Sequence, residues 1–291
     1  MIVIADLGAT NARFCVTKDC LTYSNKANYQ INDFDSVEEL CFTYLQDKGL
    51  KNVKMAVIGV AAPILEDKVS FVNNNLEFSI KNLEKKIFSG GLIVVNDLEL
   101  QAYALFNLKH GDLSYIGQKN LTHGPKVLVA PGTGLGLAGI LGENVIATEA
   151  GHINIFDKEM RSDLKVVMDR FAKENHRAPT YEDFLSGKGI TYFYEAFSGE
   201  ANTKLSSEEI LCARGDKYSL QTIDVLNYLL SSYLRYMALV WGSQGGVLLS
   251  GSIVNSLLLE EDHQEFRNNF EDSETMRDFM RKVPLAIVLI K

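Results

Sequence analysis

The chain has 291 residues, 46% of them hydrophobic, with 37 acidic against 29 basic side chains and a net charge of −8. That is enough apolar content for one large or two moderate domains, while the scattered basic residues give no electrostatic footprint for nucleic acid or anionic lipid. The apolar runs near Val53 to Pro63 and Leu285 to Ile290 are far shorter than the roughly 20 residues of a spanning helix, and no basic segment precedes the first strand, so a cytoplasmic protein without membrane contact is expected.

Met1 to Ala5 reads as a strand and Ala12 to Val16 as a second, joined by the turn Asp6-Leu7-Gly8-Ala9-Thr10-Asn11. A helix is expected over Ser36 to Gln46, then strands over Val53 to Val60 and Val69 to Val72. The run "LIVV" (Leu92 to Val95) reads as a fully buried strand that ends in Asn96-Asp97 and leads into a helix from about Leu98 to Asn107. From His110 to Pro125 the pattern loosens, which sets a boundary between domains at 1–108 and 109–291. Lys126 to Ala130 is then a strand, Pro131-Gly132-Thr133-Gly134 a turn, Leu135 to Leu141 a strand, Gly142-Glu143-Asn144 a tight turn and Val145 to Glu149 a strand. Helical periodicity runs from Arg161 to Gly242, a short strand covers Gly246 to Leu249, and "SGSIVNSLLLEE" reads as a glycine turn into a helix. The charged stretch Leu259 to Asp278 reads as solvated helix faces. Cys15, Cys20, Cys41 and Cys212 have neither CxxC nor metal-ligand spacing and read as reduced thiols.

Strands alternating with helices argue for an α/β fold. The openings "IVIADLGATNARFCV" and "VLVAPGTGLGLAGIL" form an internal repeat about 125 residues apart. Each places small residues and a Thr in a turn between paired strands, which leaves N–H groups unpaired and side chains out of the way for a phosphate. Either one alone is equally an ordinary hairpin turn. Gly134 to Gly139 also matches GxGxxG, but a dinucleotide fingerprint needs a helix to begin inside the glycine run, and here a turn and another strand follow. No GxxxxGK[ST], HExxH or GxSxG is present.

Local sequence leaves the candidate polar residues open. Asp97 reads as a helix cap, Glu149 as a strand-end surface carboxylate, Glu182 as a first-turn helix carboxylate favoured by the dipole, and His152 as a satisfied histidine near the core. Taken in order, however, Asp6 to Arg13, Asn96-Asp97, Gly132 to Gly136, Glu149 to His152, Glu182 in "YEDFLSGKGI", and Gly245-Gly246 with Gly251-Ser252 resemble the bacterial glucokinase family over nearly the whole chain. The resemblance implies two duplicated α/β domains of the actin-like ATPase (ribonuclease H-like) fold around a nucleotide and sugar cleft. It implies phosphorylation of glucose at its 6-hydroxyl by ATP with Mg²⁺, in a homodimer. Asp6, Gly8, Ala9, Thr10 and Asn11 would form the first phosphate loop, with Asp6 holding the metal through water. Gly132, Thr133 and Gly134 would form the second, and Gly246, Gly251 and Ser252 would lie by the adenosine. Asn96, Asp97, Glu149, His152 and Glu182 would bind the sugar, with Asp97 as general base. These roles suit phosphoryl transfer, which asks for positioning, charge neutralisation and a proton acceptor, and a sugar is well held by fixed acceptors.

The sequence departs from the family at Ala9, Ala150 and Ser252, where glycine is usual; a position needing φ > 0 would be strained by about 1 kcal/mol or more and bind its ligand less well. Leu76 stands where a Trp is common, and family members continue past a strand like "LAIVLI" into a further turn and helix, whereas this chain stops at Lys291. Loss of that strap is expected to loosen closure between the domains. These departures keep open a catalytically weak sugar-binding or regulatory protein on the same fold, or a kinase for another hexose. An actin-like filament ATPase would explain the hairpins but not Glu149, His152 and Glu182 together.

Overall fold

The computed structural model describes residues 1–8, 10–62, 64–71, 76–108, 110–117, 120–155, 161–258 and 263–289. They fall into two units, Met1–Ala104 and Leu105–Lys291.

The first unit runs β1 (Ile2–Leu7), β2 (Asn11–Thr17), β3 (Tyr23–Gln30), α1 (Val37–Asp47), β4 (Met55–Val60), the short strands β5 (Ile64–Leu65), β6 (Lys68–Ser70) and β7 (Glu77–Ser79), α2 (Ile80–Lys86), β8 (Gly91–Asn96) and α3 (Asp97–Ala104). Its main sheet has the order β3-β2-β1-β4-β8. The first hairpin is antiparallel, and β4 and β8 join β1 in parallel. Alternate residues Val3, Ala5 and Leu7 of β1 are buried, as the two-residue period of a strand requires, and Phe14 stacks on Tyr44 of α1 with centroids 4.6 Å apart. Ser36 caps α1 by accepting the Glu39 N–H.

Two features differ from the sequence reading. The polar segment "YSNKANYQ" is the edge strand β3, exposed along most of its length; backbone pairing with β2, not apolar alternation, makes it a strand. The LIVV strand is not fully buried, because β8 is the opposite edge of the sheet. Leu92 and Val94 pack on the core, while Ile93 points away and is 56% exposed.

The second unit contains β9 (Leu113–Tyr115), β10 (Lys126–Pro131), β11 (Leu135–Leu141), β12 (Asn144–Thr148), α4 (Ser162–Asn175), α5 (Tyr181–Phe184), α6 (Gly187–Ser198), α7 (Ser207–Cys212), α8 (Lys217–Trp241), β13 (Gly246–Leu249), α9 (Ser252–Leu258), α10 (Gln264–Glu271), α11 (Arg277–Lys282) and β14 (Leu285–Val288). Its sheet order is β12-β11-β10-β13-β14-β9. The first five strands repeat the order and directions of the first unit, which is the duplication expected of an actin-like ATPase fold. β9 is an addition, antiparallel to β14, in the stretch that reads from sequence only as a loose boundary.

Helix α8 begins at the Asp216 cap, whose carboxylate accepts the Ser219 N–H at 2.8 Å, and ends at Gly242 in the left-handed region. Its buried stripe of Val225, Leu226, Leu229, Tyr233 and Met237 has the i, i+3, i+4 spacing of an amphipathic helix. Trp241, the chain's single tryptophan, rests against β11: a Cβ on Gly139 would lie 2.2 Å from its ring.

Candidate active site

In the first unit, β1 delivers Asp6 opposite Arg13 of β2, and Arg13 Nη1 donates to Asp6 Oδ2 at 3.1 Å. Both side chains are solvent-accessible, so the pair adds little stability. The Gly8 N–H donates to the Asn11 carbonyl at 2.9 Å and closes the turn. Gln30 Nε2 donates to Asn11 Oδ1 at 2.8 Å and ties the turn to β3. Thr10 is exposed at the tip; Ala9 lies outside the described residues.

Asn96 ends β8 and Asp97 starts α3. The Leu98 N–H is shared by Asn96 Oδ1 at 2.9 Å and Asp97 Oδ1 at 2.8 Å. Asn96 therefore makes the bond expected of an N-cap, and the cap does not depend on Asp97 alone. Burial raises the Asp97 pKa above the usual aspartate value; the Leu98 N–H works against this, and the nearby Asp6 charge adds to it. Gly59 of β4 seats this corner. A Cβ there would come 2.6 Å from Leu100 Cδ2 and 3.5 Å from the Asp97 Cα.

In the second unit, the Gly132 N–H donates to the Gly134 carbonyl at 2.8 Å across the β10–β11 turn, with Thr133 exposed at its tip. The turn is held from outside. The Gly187 N–H donates to the Gly132 carbonyl at 2.9 Å, and Glu182 Oε2 accepts the Leu135 N–H at 2.9 Å. A Cβ on Gly134 would lie 2.6 Å from that same Oε2. Glu182 is placed by a capping box, in which Thr180 and Asp183 exchange bonds at the start of α5, and by the Tyr181 N–H on the Ile153 carbonyl at 3.0 Å.

The 3-10 turn Ala150–His152 follows β12. His152 stands between two carboxylates, with Nε2 3.7 Å from Glu149 Oε2 and Nδ1 3.7 Å from Glu182 Oε1. These three residues, separate in sequence, are thus brought together. Glu149 is the most open, with its side chain 83% exposed. Gly151 lets this turn approach β11, since a Cβ would meet the Leu135 carbonyl oxygen at 2.3 Å.

Gly251 and Ser252 lie at the carboxyl end of β13. Gly251 has φ +108, and its Cβ would be 2.9 Å from the Pro131 carbonyl, beside the Gly132 turn. Gly246 is not brought to them. It pairs with Lys126 at the other end of β13, about 10 Å from the strand's last residue at roughly 3.3 Å per residue. With φ +132 it packs against Leu121 and Pro284, which is a structural part.

A sequence profile of the glucokinase family matches residues 3–291. The chain belongs to that family. A glucokinase of Neisseria meningitidis is 31% identical over 300 residues, covering 99% of this chain and 90% of its own. A glucokinase of Campylobacter jejuni subsp. doylei is 30% identical over 304 residues, with the same coverage. The crystal structure of a glucokinase from an Antarctic psychrotroph matches with a TM-score of 0.82 at 26% identity, covering all of this chain, 100%, and 94% of the other.

Within the glucokinase fold, two departures become harmless to the backbone. Neither Ala150 nor Ser252 has positive φ, so neither carries the strain that replacing a glycine threatens there. Sequence reasoning missed three positioning residues. Gly59 shows as an isolated glycine inside the apolar strand "MAVIGV", a sign of close backbone approach. Gly187 follows the Ser186 cap in "FLSGKG". Arg13 stands in the first motif but gained no role. Among the described residues no helix is long and apolar enough to cross a membrane.

Proposed function

We propose that this chain transfers the γ-phosphoryl group of ATP to the 6-hydroxyl of glucose, giving glucose 6-phosphate and ADP, with Asp97 as general base. The reaction class is that of the family; the residue roles are those the resemblance implies, and the geometry around Asp97 supports its part in them. The carrying observation is the state of Asp97. Its carboxylate is fixed by the Leu98 N–H, and burial with the Asp6 charge raises its proton affinity. Both properties suit a base that must point at one hydroxyl and hold its proton.

In this reading the first domain, 1–108, supplies Asn96 and Asp97 for the sugar, and Asp6, Gly8, Thr10 and Asn11 for the phosphates. The second, 109–291, supplies Glu149, His152 and Glu182 as sugar partners, Gly132, Thr133 and Gly134 for the phosphates, and Gly251 and Ser252 for the adenosine. Asp6 fits a Mg²⁺ ligand acting through water, being a solvent-accessible hard oxygen donor. Among the described residues no cluster of three or more His, Cys, Asp or Glu side chains forms a cage. Mg²⁺ there would neutralise phosphate charge. The working form is a cytoplasmic homodimer, on the family resemblance; sedimentation of the purified chain tests its mass.

The test is ADP release from ATP and Mg²⁺ across a hexose panel, for the native chain and Asp97→Asn. Turnover depends on glucose in the first and falls at least about 10²-fold in the second, with glucose binding retained. Native rates in Asp97→Asn would remove Asp97 as base. Glucose binding without turnover in the native chain would leave a sugar-binding protein.

A further inference from the structure

Glu182 enters the proposed reaction as a sugar ligand, yet its best-made bond is to something else. Its Oε2 accepts the backbone N–H of Leu135 at 2.9 Å, at the exit of the second phosphate turn. Only Oε1 faces His152, at 3.7 Å. The entry of the same turn is held by the Gly187 N–H on the Gly132 carbonyl, five residues past Glu182. The α5–α6 segment therefore grips the phosphate turn on both flanks.

Gly134 belongs to the same arrangement. The three atoms nearest to a Cβ there all belong to the Glu182 carboxyl group, with Oε2 at 2.6 Å and Cδ at 3.2 Å, whereas a Cβ on Gly132 meets nothing within 4 Å. The φ of Gly134 is not in the left-handed region, so conformational freedom does not explain this glycine. The space it leaves is filled by the acid.

We propose that Glu182 is shared between the sugar and the nucleotide, binding a glucose hydroxyl while positioning the second phosphate turn, and that Gly134 is a glycine in order to admit it. This rests on the reading of the chain as a glucose kinase. A carboxylate has about four lone-pair sites, so one oxygen keeps the Leu135 N–H while the other accepts from the sugar. Glucose, by immobilising Glu182, removes freedom that the turn would otherwise lose when it closes on phosphate, and each ligand then binds tighter in the presence of the other. The effect is reciprocal and equal in both directions.

Isothermal titration with glucose and with AMPPNP and Mg²⁺, each alone and in the presence of the other, tests this in the wild-type chain and in Gly134→Ala, Glu182→Ala and Glu182→Gln. In the wild type each ligand strengthens the other by the same factor, about 5-fold or more. Gly134→Ala weakens glucose measured without nucleotide by about 10-fold, although the residue lies in the phosphate turn. Glu182→Ala weakens AMPPNP measured without sugar by about 3-fold or more, and Glu182→Gln, whose amide oxygen still accepts the Leu135 N–H, restores it to within about 2-fold. Thermal melts establish that each variant folds; should Gly134→Ala fail to fold, the Glu182 pair decides alone. Parental glucose affinity in a folded Gly134→Ala, or parental AMPPNP affinity in Glu182→Ala, overturns the inference and leaves the kinase reading standing. A wild-type chain that does not bind glucose overturns that reading, and the inference with it.

Discussion

The two hairpins share a topology but are held in different ways. The first turn is fastened by backbone and side chains at the ends of its own sheet's strands, with Gly8 bonded to Asn11, Asn11 to Gln30, the Ile31 N–H on the Thr10 carbonyl and the Ala61 N–H on the Leu7 carbonyl. The second is fastened from a distance, by Glu182 and Gly187 in the helical layer. Duplication has thus preserved the strands and changed what holds the loops. A turn held mainly through backbone bonds to its own sheet moves with that sheet, whereas one held by a side-chain carboxylate can respond to whatever else that carboxylate binds.

The glycines that seat the candidate residues of each unit give the sharpest way to break this comparison. Gly151→Ala has the largest expected effect. Its Cβ would meet the Leu135 backbone oxygen at 2.3 Å, and backbone in a paired strand cannot step aside, so a loss of about 3 kcal/mol is expected in denaturant unfolding, together with loss of glucose binding. Gly59→Ala meets instead the far end of the Leu100 side chain at 2.6 Å. A rotamer change relieves part of that, so a loss of about 1 kcal/mol is expected, with kcat falling more than KM rises because α3 carries Asp97. Equal losses in the two variants would mean that the second unit is no more rigidly built than the first.

A smaller effect separates the two units by pH. The folded-state pKa of Asp97 is raised, so its stabilising contribution is complete below the unfolded value, about 3.9, and is lost as pH rises through the folded value. The ionised carboxylate therefore costs stability at neutral pH. Asp97→Asn should melt higher than the parent at pH 7, and the gain should vanish in acid near pH 3; a gain independent of pH would point to packing instead. The smallest effect lies in the second unit. The Tyr233 hydroxyl is buried without a hydrogen-bond partner among the described residues, and Tyr233→Phe should be neutral or stabilising by up to about 1 kcal/mol. A clear loss of stability would show that the hydroxyl is satisfied by bound water.

Much of this was legible in the sequence because the interactions are local. Both hairpins, the helix that starts at Ser36 and the strand-to-helix corner at Asp97 are written in consecutive residues. β3 and β9 were not, since "YSNKANYQ" and "LSY" become strands only through partners supplied elsewhere. The exposure of Ile93 was hidden for the same reason: an apolar run does not say whether its strand lies at the centre or the edge of a sheet. In the site, the motifs named Glu182 and Gly134 for separate ligands. Nothing in either segment tells that the acid occupies the place of the missing Cβ, because 47 residues separate the Leu135 N–H from its acceptor. Gly246 differs in the opposite direction: the sequence groups it with Gly251 and Ser252, whereas the fold puts it at the other end of β13, opposite Lys126.

The position of Trp241 has a practical consequence. The only indole in the chain rests on Gly139 of β11, the strand that leaves the turn proposed to hold phosphate and whose first residue is held by Glu182. Its emission is therefore a built-in optical gauge of that hairpin, with no competing tryptophan signal from the first unit. Sugar added to the unlabelled protein can be followed by fluorescence on the strand that leaves the turn where phosphate is proposed to bind.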